Sequence, residues 1–145
     1  VVDYAHTPDA LEKTLQALRP IADQRGGSIW CVFGCGGDRD AGKRSLMGAV
    51  AERYADQILI TSDNPRSEDP QAIMQMIRDG LKVDATNVQM IADRAAAIMA
   101  AVRHANARDI VLVAGKGHET TQEINGKKFD FSDQEHIRLA AGGGI

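Results

Sequence analysis

The feature that most constrains this chain is an alternation. Short apolar, β-branched runs, SIWCVF at 28–33, QILIT at 57–61, VQMIA at 88–92 and DIVLVA at 109–114, are each separated from the next by one stretch with apolar residues at helical spacing. Runs of this length bounded by Gly, Asn and Asp read as buried strands. Strands joined by single helices imply right-handed crossovers and parallel pairing, because antiparallel neighbours would need only a short turn. The fold class expected is therefore α/β, a three-layer Rossmann-like domain with a mostly parallel sheet and helices on both faces.

Local signals sharpen the boundaries. Val1 to Tyr4 reads as a first strand, and Thr7 with Pro8 reads as N-cap and first residue of a helix whose stripe is Leu11, Leu15, Leu18 and Ala22. Gly26 and Gly27 end it. The helix after the second strand carries Leu46, Met47, Val50, Ala51 and Tyr54, and Asp69 with Pro70 starts another with Ile73, Met76 and Ile77 expected inward. A fourth helix is expected from Asp93 to about Ala105. Asn125 and Gly126, between Thr121–Ile124 and Lys127–Phe131, signal a type I′ hairpin, expected to add an antiparallel edge to the sheet. A last helix is expected from Ser132 to Ala141, so residues 1–141 read as one domain and 142–145 as a glycine-rich tail.

Composition excludes several classes of function. A formal charge of −3 argues against a nucleic-acid surface, and no segment reaches the roughly 20 apolar residues needed to insert into a membrane. Cys31 and Cys35 fall on an expected buried strand with no further Cys to complete a metal quartet, so they read as reduced core thiols of a cytoplasmic protein. His104 and His136 fall in helices and read as surface residues, and Trp30 reads as core.

Residues 34–46, GCGGDRDAGKRSL, nearly match a phosphate-binding loop, with Gly37, Gly42 and Lys43 at its spacing. The hydroxyl residue that should follow the lysine is replaced by Arg44, and Asp38 and Asp40 stand where backbone N–H groups would wrap phosphate. The stretch reads better as a glycine turn that aims Arg39 into a cleft.

In parallel α/β sheets ligands bind beyond the carboxyl ends of the strands. Four polar segments fall there: DYAHTP at 3–8, GCGGDRD at 34–40, SDNPR at 62–66 and GKGHE at 115–119. Arg39, Arg66 and Lys116 suit carboxylates or phosphates, whereas Asp38, Asp63 and Glu119 suit ammonium groups. The mixture points to a zwitterion such as an amino acid, with a nucleotide as a possible neighbour.

The segments DYAHTPD, FGCGGDRDAGKR, DNPR and GKGHE, in this order over nearly the whole chain, resemble the C-terminal domain of the Mur ligases of peptidoglycan synthesis. DNPR resembles the branch that adds meso-diaminopimelate. The resemblance implies that Asp3 and His6 meet the ribose and base side of ATP. It implies that Arg39, Asp63, Asn64, Pro65, Arg66, Gly115 and Glu119 contact the diaminopimelate. It implies an ATP-dependent ligase acting on UDP-MurNAc-L-Ala-D-Glu, with the phosphate loop and Mg²⁺ ligands in a separate central domain and no catalytic group or metal ligand in this one. A freestanding nucleotide- or amino-acid-binding module is the alternative reading. Ser45 stands where relatives of the family carry proline.

Overall fold

The computed structural model describes residues 1–142. Its elements run β1 (Val2–Asp3), α1 (Pro8–Arg25), β2 (Ile29–Phe33), α2 (Gly42–Tyr54), β3 (Gln57–Ile60), α3 (Pro70–Arg78), β4 (Val88–Met90), α4 (Arg94–His104), β5 (Ile110–Ala114), β6 (Thr121–Ile124), β7 (Lys127–Asp130) and α5 (Asp133–Gly142). Of the expected glycine-rich tail, Gly142 closes α5 and residues 143–145 lie outside the described residues.

Helix starts follow their caps. Thr7 Oγ1 accepts from Ala10 N, Asp69 from Gln71 N and Asp93 from Ala95 N, and Pro8 and Pro70 occupy first-turn positions where no N–H is missed. Gly26 ends α1 in a left-handed turn at φ 69°, donating to Ala22 O and Asp23 O. Ser45 sits within an unbroken α2, so the helix tolerates it without its proline.

The main sheet has five parallel strands in the order β1-β5-β2-β3-β4. Side chains alternate across it. Ile29, Cys31, Phe33, Ile58, Ile60 and Leu112 pack with the buried residues of α1, α2 and α3, whereas Val32, Leu59 and Val113 pack with Ala97, Ile98 and Ala101 of α4. Three crossovers step the chain across the sheet with helices on one face. The fourth, through α4, returns in the opposite direction on the other face, as a constant right-handed crossover requires. Trp30 lies at the second core with its indole N–H donated to Asp109 at 3.0 Å.

Three expectations change. Leu46 is exposed, and Met74 rather than Met76 faces the core, because Ile73, Met74 and Ile77 form the stripe that meets α2. The hairpin does not extend the main sheet. β6 and β7 pair with each other alone, joined to the rest by a bridge between Ile124 and Arg66. Its turn is as expected, with positive φ at Asn125 (50°) and Gly126 (76°).

Candidate functional site

Because the strands of the main sheet are parallel, the loops after β1, β2, β3 and β5 leave from one edge, and they enclose a cavity of about 320 Å³. The four polar segments thus converge as expected. Tyr4, His6, Arg39, Asp63, Arg66 and Glu119 line the cavity, together with Asn64, Gly115 and Lys43.

The glycine loop is shaped by its neighbour rather than by a phosphate. Gly37 N donates to Asn64 O at 2.7 Å, and a Cβ on Gly37 would overlap Pro65 O. One on Gly34 would overlap Thr61 O. The loops after β2 and β3 therefore lie backbone against backbone, which explains glycine where a phosphate loop would also have it. Arg44 works beneath them. Its side chain is 1% exposed, it grips both Glu68 oxygens at 2.9 Å, and it donates to Gly36 O at 3.0 Å. The hydrogen bonds from Arg44 and then the Asp38 N–H hold the Glu68 carboxyl down to about 2. Lys43 reaches across to His6 O at 3.1 Å. The departure from the phosphate-loop pattern at Arg44 is thus a clamp holding the loop.

Other candidates divide into those facing the cavity and those holding it up. Lys116 is fully buried, and its Nζ bonds Asn64 Oδ1 (2.9 Å) and Thr121 O (3.1 Å) while pairing with Asp63 Oδ1 at 2.9 Å. With two donors spent on those oxygens and its charge matched by Asp63, it is committed to protein partners instead of offering a charge to a ligand. Asn64 Oδ1 also accepts from Glu123 N at 2.9 Å, so its NH₂ is what remains for the cavity. Pro65 is buried outside the lining as the wall against Gly37. Asp38 is turned away, bonded to Ser67 Oγ at 2.6 Å. Asp3 is held by Thr14 Oγ1 at 2.8 Å, outside the lining, while its carbonyl accepts from Gly115 N and Gly117 N. His6 Nδ1 lies 2.7 Å from Tyr4 O, a contact in which that nitrogen donates. His118 contacts Gln134 and meets Tyr4 edge-on with ring centres 5.8 Å apart.

Two guanidinium groups face the cavity. Among the described residues Arg39 bonds its neighbour's carbonyl, Asp38 O, at 2.9 Å, and no other group. Arg66 stands at φ 52°, donates Nη1 to Gly37 O at 2.9 Å, and has Nε 3.6 Å from Glu123, leaving Nη2 without a partner among the described residues. The same cavity is lined by Asp63, and by Glu119 with its side chain 45% exposed.

Sequence reading missed Arg94. Fully buried at the start of α4, it holds both Asp133 oxygens at 2.7 Å and donates to Ser62 O and Ala114 O at 3.1 Å, the carbonyls from which two of the site loops depart. Burial opposes its charge, but the bonds and charge of Asp133 more than offset that and hold its pKa above the ordinary value. Its position after the cap Asp93 marks a helix start, and nothing local marks a partner 39 residues away.

The family model described as "Mur ligase, glutamate ligase domain" matches residues 1–117. A Ralstonia nicotianae protein named UDP-N-acetylmuramoyl-L-alanyl-D-glutamate--2,6-diaminopimelate ligase is 66% identical over 97% of this chain and 27% of its own length. An Acidovorax protein of the same name is 59% identical over 99% of this chain and 29% of its own. A solved structure of a ligase with that name superposes with a TM-score of 0.90 at 46% identity, covering 99% of this chain and 29% of that one. The chain thus spans less than a third of the length of the relatives it matches.

Proposed function

The chain belongs to the Mur ligase family, and from that membership we propose that it is the amino-acid-binding domain of an ATP-dependent ligase that joins meso-diaminopimelate to UDP-MurNAc-L-Ala-D-Glu. The observation that carries this reading is the mixed charge of one cavity, lined by Arg39, Arg66 and Lys43 and by Asp63 and Glu119. A pure phosphate site would not carry the two acids. A diamino dicarboxylate presents both kinds of group.

In this reading Arg66 Nη2 and Arg39 take the carboxylate at the centre that does not react, with Asn64 as a further donor, while Asp63 and Glu119 take the ammonium there. The amine at the other centre is left free. It attacks the γ-carboxyl carbon of the D-glutamyl residue, activated as an acyl phosphate by ATP, and expels phosphate as the amide forms. In this reading His6, which lines the cavity, and Asp3, whose carboxylate accepts from Thr14, meet the ribose and base side of the nucleotide. On the same reading the Mg²⁺ ligands belong to the central domain of the full-length ligase. The domain's contribution is positioning, which for a bimolecular attack supplies roughly 7–11 kcal/mol when geometry is ideal.

The test is selectivity in the full-length ligase carrying this domain. Lysine lacks one carboxylate of meso-diaminopimelate and would leave Arg66 without its partner. A site built around such a polar group discriminates by about 10⁴–10⁵. Arg66→Ala is expected to lower kcat/KM for meso-diaminopimelate by about 2–5 kcal/mol with the KM for ATP nearly unchanged, and Arg66→Lys to restore little, since an ammonium lacks the planar fork. Retained discrimination against lysine in Arg66→Ala would overturn the reading. So would loss of ATP affinity in its place.

A further inference from the structure

The β6–β7 hairpin stands outside the main sheet, with β7 exposed along its whole length, so burial of its own surface does not account for its place. What it touches is the loop after β3. Arg66 N donates to Glu123 O at 3.1 Å and Asn125 N donates to Arg66 O at 2.8 Å, so the backbone is bridged on both sides of Arg66's left-handed φ of 52°. A residue with a Cβ holds that conformation at a cost, and persists in it where its surroundings over-determine it.

Side chains extend the grip. Gln122 Nε2 donates to Asp63 O at 2.7 Å and Ser62 Oγ at 3.2 Å. The Glu123 carboxylate faces Arg66 Nε at 3.6 Å. Through Thr121 O, which accepts from Lys116, the same strand reaches the loop after β5. Neither Gln122 nor Glu123 lines the cavity.

We propose that the hairpin is a splint that sets amino-acid selectivity, in which Gln122 and Glu123 are positioning residues acting through Asp63 and Arg66. The proposal rests on the reading of the cavity as the amino-acid site. The Arg66 side chain is long, and its planar head recognises a carboxylate only when its orientation is held. Gly37 O occupies Nη1 and Glu123 occupies the Nε edge, so Nη2 is the nitrogen left to the ligand. Without Glu123 the head can turn, and the site loses part of what separates a substrate with the second carboxylate from one without it.

The experiment is steady-state kinetics of the full-length ligase with meso-diaminopimelate, L-lysine and ATP varied in turn. Glu123→Gln and Gln122→Ala are each expected to raise the KM for meso-diaminopimelate about 10-fold, the size of coupling seen between residues in contact, and to lower its preference over lysine to match. The KM for ATP and kcat should stay within about twofold, as they should for Lys127→Ala at the exposed end of the same hairpin. In an Arg66→Ala background, Glu123→Gln should have no further effect, which a merely destabilising change would not reproduce. Parental selectivity in both hairpin variants, full additivity with Arg66→Ala, or tighter binding of meso-diaminopimelate by Glu123→Gln would each overturn the splint. If Arg66→Ala collapses selectivity and the hairpin variants do not, the splint alone falls. If Arg66→Ala itself leaves selectivity intact, the amino-acid reading falls and takes the splint with it.

Discussion

Two arginines hold the edge of the sheet by the same device in opposite surroundings. Arg44, near the start of α2, forks onto Glu68 and donates to Gly36 O, while Arg94, at the start of α4, forks onto Asp133 and donates to Ser62 O and Ala114 O. Each ties a carboxylate to the backbone of the site loops, Arg44 through one carbonyl and Arg94 through two. They differ in what surrounds the acid. The Arg94–Asp133 pair is 0% exposed on both sides, whereas Glu68 has a side chain 34% exposed. The difference separates a pin, whose loss strands a buried charge, from a latch, whose partner can turn to water.

The largest effect expected is Asp133→Ala. Removing one partner of a buried pair leaves the other charge uncompensated, and stability should fall by about 3–5 kcal/mol in a urea titration. Replacing both, as in Arg94→Met with Asp133→Leu, should cost far less stability yet still lower kcat/KM of the full-length ligase, since Ser62 O and Ala114 O lose their common donor. If the double replacement restored activity along with stability, Arg94 would be a packing residue and the likeness between the two arginines would end.

Arg44→Met should cost less, about 1–2 kcal/mol, because the hydrogen bonds it forfeits include charged ones but Glu68 can be rehydrated. An equal or larger loss than for Asp133→Ala would erase the distinction between pin and latch.

The latch is also open to pH. Glu68 is held at about 2 rather than its ordinary 4.5, so it binds fewer protons folded than unfolded, and its contribution is complete above about 4.5 and fades as pH falls toward 2. Melting temperatures of the parent and of Glu68→Gln should differ most near neutral pH and converge by about pH 2. A gap that stayed constant through that range would show that Arg44 does not hold the ionised carboxylate.

The smallest effect sharpens the comparison locally. Burial pushes the thiols of Cys31 and Cys35 up to about 12, for Cys35 against the opposing pull of Lys43 and Arg44, so both should resist alkylation in the parent. Cys35 lies in the glycine loop and lines the cavity, whereas Cys31 sits within β2. In Glu68→Gln, Cys35 alone should gain reactivity with iodoacetamide, followed by mass spectrometry. Equal labelling of both would mean global rather than local opening.

The order of elements, the caps at Thr7 and Asp69, the Asn125–Gly126 turn and the convergence of four polar loops were legible in the sequence. These rest on short-range signals and on one rule of parallel sheets, that successive carboxyl ends share an edge. Which charges remain free at that edge was decided by the tertiary structure. Asp38, a candidate for ammonium, is spent on Ser67, and Lys116, a candidate for anions, is buried against Asp63 and against Asn64, 52 residues away. Arg94 and Asp133 carried no local mark, and the hairpin's turn was readable while its attachment to Arg66 was not. The physical reason is the same in each case. A turn or a cap is satisfied within a few residues, so composition and spacing reveal it, whereas the partner of a buried charge is whichever group packing brings within hydrogen-bond reach, and that depends on the whole sheet being assembled first.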